Sequence, residues 1–392
     1  LLAYGQLTNT APHPSTIVRT EAEYWTSRQR QASSLHEISY RACFKPQLPR
    51  YFIEKCTSPG DLVYDPFMGR GTTIIEAAML GRRVVGNDVN PLCKILTEPR
   101  LRIPTADAVG ERLAEIRFSP DALPELDLSM FYHPETLAEI VSLKRYLARR
   151  QASGSEDHVD NWIRMVATNR LTGHSSGFFS VYTLPPNQAT SPESQKKINK
   201  LRKQKPVYRD VKALILKKSR SLLRNLTEEQ RAAVNDIGRS ALLLSQTSNH
   251  TPQLEANSVQ LTVTSPPFLD VVQYSKDNWL RCWFNGIDDK QVAREMTMAR
   301  TIEGWSNEMA KVFAELFRVT RRGGYVAFEV GEVRKGSINL DEHVVPLGIS
   351  AGFVCEGILI NRQSFTKTAN IWGIRNNLSG TNSNRIVVFK KN

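Results

Sequence analysis

The sequence predicts an α/β fold: a sheet built on parallel strands, with helices on both faces and a large helical insertion. Three observations carry this. The stretch "DLVYDPFMGRGTTIIEAAMLGRRVVGNDVNP" reads as strand, glycine turn, helix and strand, which is one βαβ half-unit. Residues from about 105 to 240 then follow a helical period, as in "PETLAEIVSLKRYLARR" and "DVKALILKKSRSLLRNL". Strand-like runs return from 241 onwards in "ALLLSQ", "VQLTVTS", "GYVAFEVG", "FVCEGILINR" and "NRIVVFKK".

These runs divide the chain into a polar lead-in over 1–40, one α/β domain made of 41–104 and 241–392, and the helical insertion over 105–240. The aromatic and basic segment "CFKPQLPRYFIEKC" reads as a helix after Pro49. The last two runs read as an antiparallel hairpin that closes the sheet.

Composition narrows the class. Of 392 residues, 41% are hydrophobic and 23% charged, as in an ordinary soluble globular protein rather than a disordered one. Lys and Arg outnumber Asp and Glu by 52 to 39, and this excess of 13 positive charges points to a polyanionic partner such as nucleic acid or a membrane surface. No run approaches the roughly 20 apolar residues of a membrane span, and no signal-peptide pattern is present, so a membrane is not expected. The start without Met reads as a trimmed end. Cys43, Cys56, Cys93, Cys282 and Cys355 are scattered without a CxxC pair, which suggests neither disulfides nor a zinc site and points to a reducing cytoplasm.

In "DPFMGRGTT", Asp65 ends a strand, Gly69 and Gly71 permit close backbone approach, and Thr72 opens a helix whose N-terminus can face a ligand. No lysine follows the second glycine and no third glycine is present, so this is neither a phosphate loop nor the dinucleotide fingerprint. An ordinary βα turn is the alternative. Asp88 follows the second strand, 17 residues after Gly71, where a carboxylate can accept both hydroxyls of a ribose or act as a plain turn residue. Further on, "TSPPF" ends an apolar strand with two prolines, which could equally be a simple strand terminator.

"DPFMGRGTT" with "GNDVNP" resembles the S-adenosylmethionine site of amino-group DNA methyltransferases, and "SPPF" resembles their catalytic tetrapeptide. The resemblance implies a Rossmann-like methyltransferase fold with a mixed seven-stranded sheet. It also implies S-adenosylmethionine as cofactor, held by Asp65, Phe67, Gly69, Gly71, Thr72 and Asp88, with an upstream segment at Phe44, Lys45 and Pro46 beside the cofactor's carboxylate. It covers about 40–100 and 240–392 well and the insertion poorly. Many members with a Ser-Pro-Pro tetrapeptide carry the catalytic half first; this chain has the cofactor half first.

The tetrapeptide supplies Ser265, Pro266, Pro267 and Phe268 as expected catalytic residues. An exocyclic amine is a poor nucleophile because its lone pair is delocalised into the base. Hydrogen-bond acceptors at Ser265 and the Pro266 carbonyl would draw the nitrogen towards tetrahedral geometry and aim it at the methyl group. Pro267 holds Pro266 extended, and Phe268 offers a face for a base extruded from the duplex. In the family, Ser at the first position goes mostly with the cytosine 4-amino group, and Asp or Asn with the adenine 6-amino group. The expected activity is therefore methyl transfer to cytosine N4 in DNA, by direct displacement without a metal. Methylation at carbon 5 would need a Cys nucleophile, typically in a Pro-Cys context, and no Pro-Cys dipeptide occurs. The rivals are an adenine or RNA amino methyltransferase, and a non-catalytic DNA-binding protein with a degenerate cofactor pocket.

DNA is the expected partner, in a bacterial or phage-like cytoplasm, and a restriction endonuclease partner is compatible with this class. From Lys196 to Arg224 there are 12 Lys or Arg against one acid. Lys196, Lys197, Lys200, Arg202, Lys203 and Tyr208 are the expected DNA contacts, the alternative being a solvated helix face. The polar and aromatic segment Thr172 to Gln188 reads as an irregular loop; it resembles a segment of a subset of bacterial cytosine-specific amino methyltransferases, which implies an approach to the target base or DNA, with His174 either catalytic or a loop hydrogen-bonder. After the tetrapeptide, "VVQYSKDNWLRCW" reads as a helix offering Asp270, Tyr274, Asp277 and Asn278 as secondary contacts, with Trp279 and Trp283 in the core.

Overall fold

The computed structural model describes residues 17–24, 32–40, 43–183, 189–267, 274–295, 299, 301–333, 338–362 and 383–392. The strands are β1 (Arg19–Ala22), β2 (Leu62–Asp65), β3 (Arg83–Asn87), β4 (Leu242–Leu244), β5 (Val259–Thr264), β6 (Thr320–Val330), β7 (Glu332–Val333), β8 (Ile338–Asn339), β9 (Val354–Arg362) and β10 (Ser383–Lys390). Eight of them form one sheet in the order β1-β9-β10-β6-β5-β2-β3-β4, while β7 and β8 pair separately. The pairs β2 with β3, β2 with β5, β3 with β4 and β5 with β6 are parallel. β10 runs antiparallel to both β6 and β9, so the expected closing hairpin forms.

The sheet has eight strands rather than seven. The additional one is β1, from the segment read as lead-in, which pairs parallel with β9 at the edge. Its sequence, "RTEA", is short and largely exposed, so it carries no alternating signal. Arg19 is fixed beyond the ladder by the buried Asp341 carboxylate at 3.9 Å, which Arg385 also approaches.

Alternate strand residues feed two cores, one on each face of the sheet. Val63, Val84, Leu261, Val263 and Ala327 pack with α1 (Gln47–Cys56), α2 (Thr72–Met79) and α3 (Pro91–Thr97). α1 begins two residues before Pro49, which costs little because a proline in the first turn lacks only an N–H without an intrahelical partner. Tyr64, Val85, Val326 and Phe328 face the second core.

The insertion forms α4 (Ala106–Glu115), α5 (Pro134–Ala152), α6 (His158–Arg170), α7 (Pro192–Arg202), α8 (Val211–Leu223) and α9 (Glu228–Arg239). Side-chain caps set several of their starts: the carboxyl oxygens of Asp157 and Asp210 and the hydroxyl of Thr227 each accept first-turn amide hydrogens. Trp162, Met165, Ile215, Leu222 and Val234 join the same core as α2 and α3, so the insertion and the sheet share one apolar interior. After β5 come α10 (Tyr274–Asn285), α11 (Asp289–Glu295), α12 (Ile302–Val319) and α13 (Asp341–Ser350). α12 places Trp305, Met309, Val312, Leu316 and Val319 in the second core, the i, i+4, i+7 spacing of one helical face. No helix among the described residues is long and apolar enough to cross a membrane.

Candidate active site

β2, β3 and β5 are neighbours, and their carboxyl ends deliver Asp65, Asp88 and Ser265 to one edge of the sheet. The strand order reverses between β2 and β5, the position where open parallel sheets bind ligands. A pocket there is lined from the predicted set by Phe44, Phe67, Gly69, Thr72, Asp88, Ser265 and Pro267.

The glycine turn is built for close approach. Gly69 and Gly71 have φ of 51° and 75°, in the left-handed region that glycine enters without steric cost. A Cβ on Gly71 would lie 2.5 Å from the Thr97 side chain, so the turn and α3 meet through the absent side chain. The Gly69 N–H donates to Asp88 Oδ2 at 3.0 Å and the Asn90 N–H to Oδ1 at 3.0 Å, which fixes the carboxylate at the pocket wall. Burial pushes the Asp88 carboxyl above its usual range, opposed by these amides.

Asp65 does not line the pocket; it lies beneath the turn, 1% exposed. Its Oδ1 accepts from the Phe67 N–H at 3.1 Å and from the Thr264 hydroxyl at 2.7 Å, so β2 is tied to the residue that precedes Ser265. Desolvation pushes its carboxyl up to about 7 against these bonds. Gly71, Lys45, Pro46 and Pro266 also stand outside the lining. Lys45 is half-buried, which lowers its pKa, and Pro46 caps the start of α1. Phe268 and Asp270 lie outside the described residues, as do 184–188 of the irregular loop.

Several lining residues carry no motif. Tyr40 and Cys43 come from the segment preceding α1, Thr247 to Asn249 from the turn after β4, and Trp305, Glu308, Met309 and Val312 from α12. The turn after β4 could have been found, since it follows a parallel strand at the same sheet edge; nothing local marks the α12 residues. Glu329 was also missed. β5 and β6 pair Thr264 with Phe328, so Ser265 and Glu329 are the next residues along. Ser265 hydrogen-bonds the buried Glu329 carboxylate, which also accepts from Asn384 Nδ2 at 2.7 Å. Burial raises the Glu329 carboxyl above its usual range and the two bonds oppose this. With its hydroxyl proton directed to Glu329, Ser265 keeps oxygen lone pairs able to accept a further hydrogen bond.

The basic run divides in two. Lys196, Lys197, Lys200, Arg202 and Lys203 are exposed on α7 and its C-terminal cap, and Tyr208 is exposed further along the chain. Arg202 stacks on Tyr182 at 3.8 Å, and the Tyr208 hydroxyl donates to Glu139 at 2.8 Å. Further along, Lys212 donates to the Ile116 carbonyl at 2.6 Å, and Lys218 lies 3.6 Å from Glu37 with its pKa lowered to about 8, chiefly by burial. Those cations hold the fold. The irregular loop is turn-rich with an isolated bridge between Gly173 and Tyr182, and His174 packs against Phe178.

α10 forms, and its Trp residues are half-buried rather than core. The Trp279 indole donates to the Thr190 carbonyl at 3.3 Å, while Trp283 donates to Glu125 and lies under Lys144. Asp277 and Asn278 are buried; the Asp277 carbonyl accepts from Ala189, and Asn278 accepts from Arg281. The side chain of Tyr274 is outside the described set. Among the described residues no group of three His, Cys, Asp or Glu is placed to hold a metal.

Fold and site together define a methyltransferase-like sheet architecture with a pocket at its carboxyl edge. The family model described as DNA methylase matches residues 12–98. The Type II methyltransferase M.BsoBI of Geobacillus stearothermophilus is 23% identical over 311 residues, 74% of this chain and 60% of that protein. The Type II methyltransferase M.MjaII of Methanocaldococcus jannaschii is 34% identical over 77 residues, 19% of this chain and 14% of that one. The orphan methyltransferase M.BamHII of Bacillus amyloliquefaciens is 37% identical over 71 residues, 17% of this chain and 27% of that one. The chain thus spans between 14% and 60% of the length of these relatives. The chain is thus similar to N4/N6 DNA methylases, over residues 12–98 by the family model and over 311 residues at 23% identity to one curated relative.

Proposed function

We propose that the protein transfers a methyl group from S-adenosylmethionine to the exocyclic 4-amino group of cytosine in DNA. The observation that carries this reading is that Ser265 and Pro267 line the same pocket as Gly69 and Asp88. The Ser265 acceptor and the cradle for the cofactor thus share one space, with Pro266 the next residue along the chain.

When bound, S-adenosylmethionine supplies an electrophilic methyl on a sulfonium. The residues present fit it. Gly69 leaves the wall free of side chain, Asp88 offers a carboxylate suited to ribose hydroxyls, and Phe44, Phe67, Met309 and Val312 give apolar walls. Ser265 and the Pro266 carbonyl accept the two amine hydrogens and orient the nitrogen lone pair. The cofactor would supply the methyl group and keep the electron pair of its sulfur–methyl bond, so no other electrophile or oxidant is needed. The amine's surplus proton leaves through the Ser265 hydroxyl towards Glu329 and on to water.

Serine at the first position of the tetrapeptide favours cytosine, by its correlation within the family. The exposed cations of α7 support a phosphate contact, because the chain just before α7 is pinned to α10: Ala189 donates to the Asp277 carbonyl at 2.9 Å. On this reading the insertion, 105–240, holds DNA and recognises the target. The target base leaves the stack to reach Ser265.

Labelled methyl transfer from S-adenosylmethionine, assayed on DNA and on RNA in parallel, tests the reading. Label recovered in DNA as N4-methylcytosine is expected. Label only in RNA or only in adenine replaces the substrate, and cofactor binding without transfer to any nucleic acid removes the activity.

A further inference from the structure

We propose that Trp305 is a positioning residue for the Ser-Pro-Pro segment: its indole N–H holds the Pro267 carbonyl and so leaves the Pro266 carbonyl as the amine's acceptor. The inference rests on the methyl-transfer reading and adds a residue from outside the motif. Trp305 is 3% exposed, and its Nε1–H donates to Pro267 O at 3.1 Å.

The two prolines offer no N–H, so they can be hydrogen-bonded to their neighbours only through their carbonyls. Two consecutive carbonyls are available, and a target amine needs one of them in a fixed direction. Trp305 engages one. A buried indole N–H left without an acceptor is costly, so the bond resists exchange for an unpaired state.

Trp305 is itself rigidly held. It sits in the first turn of α12, where the Thr301 side chain caps Gly304 N–H at 3.1 Å and the Trp305 N–H donates to the Thr301 carbonyl at 3.0 Å. Met309 and Val312 continue the same helix face along the pocket wall. α12 thereby sets the attitude of the catalytic segment from across the pocket, and small misplacements of reacting groups carry large rate penalties.

Trp305→Phe keeps a ring and removes the N–H. We expect a fall in kcat of tenfold or more, with the cofactor Kd and the melting temperature close to wild type. In the unmodified protein, the Trp305 indole proton should exchange with solvent slowly, as followed by NMR on ¹⁵N-tryptophan-labelled protein. Solvent-rate exchange, wild-type kcat in Trp305→Phe, or a kcat loss matched by an equal loss of cofactor affinity each overturns the proposal. A wild-type protein that transfers no methyl to DNA overturns instead the reading beneath it, and the exchange rate still decides whether Trp305 holds Pro267.

Discussion

Thr264 donates its hydroxyl to Asp65 Oδ1 at 2.7 Å, so the strand that ends in the glycine turn and the strand that ends in Ser265 are joined by side chains at their last residues. This bond lies under the pocket and links its glycine-turn end to its Ser265 end. Burial holds the Asp65 carboxyl up to about 7 in the folded state, above its ordinary value of 3.8.

A pH dependence follows from that shift. Between about pH 4 and pH 7 the unfolded chain ionises Asp65 while the folded chain retains its proton, so this residue's contribution to stability falls as pH rises through the window. Below the window both states are protonated and the penalty vanishes. Asp65→Asn should therefore gain stability relative to wild type as pH rises from 4 to 7, measured as the difference in denaturant midpoints; parallel curves would refute the shift.

Asp88 is held by two backbone amides at the pocket wall. Asp88→Ala should weaken S-adenosylmethionine binding by about tenfold to a hundredfold, since a hydrogen bond to a charged group contributes roughly 1.5–3 kcal/mol. Calorimetric titration measures it. An unchanged Kd in a folded variant would remove Asp88 from cofactor binding.

Gly71→Ala combines a left-handed φ with a Cβ placed 2.5 Å from Thr97. A loss of roughly 1–3 kcal/mol of stability is expected from the backbone conformation alone, with more from the clash. Thermal or urea unfolding reads it, and a variant as stable as wild type would show that the turn can relax away from α3.

The split in the basic run separates two kinds of cation. Replacing Lys196, Lys197 and Lys200 by Ala should lower the magnitude of the log Kd against log salt slope for duplex DNA, by about 0.9 for each phosphate no longer neutralised. Lys212→Ala should leave that slope alone and reduce stability, because Lys212 serves the Ile116 carbonyl and the Phe118 ring. Equal slopes in all the proteins would leave α7 a solvated face.

What the sequence made legible was local. Asp65, Gly69, Gly71 and Asp88 fall within 24 residues, and their spacing is itself the strand-turn-helix-strand geometry that brings them together. Glu329 and Trp305 reach Ser265 and Pro267 only through strand pairing and helix packing, across separations of 64 and 38 residues, and no local pattern marks them. β1 escaped notice because an exposed four-residue edge strand needs no alternation. In the second half of the cation run, Lys212 and Lys218 use long stems to reach partners in the fold, which a count of charges does not register.

The most direct measurement is mass analysis of nucleosides from DNA of cells expressing either the wild-type chain or Ser265→Ala. The account requires N4-methylcytosine with the wild type and its loss, by about a hundredfold or more, with the variant. A methyl mark confined to adenine would contradict the choice of base. DNA left unmodified by the wild type, or modified equally by both proteins, would contradict methyl transfer at Ser265.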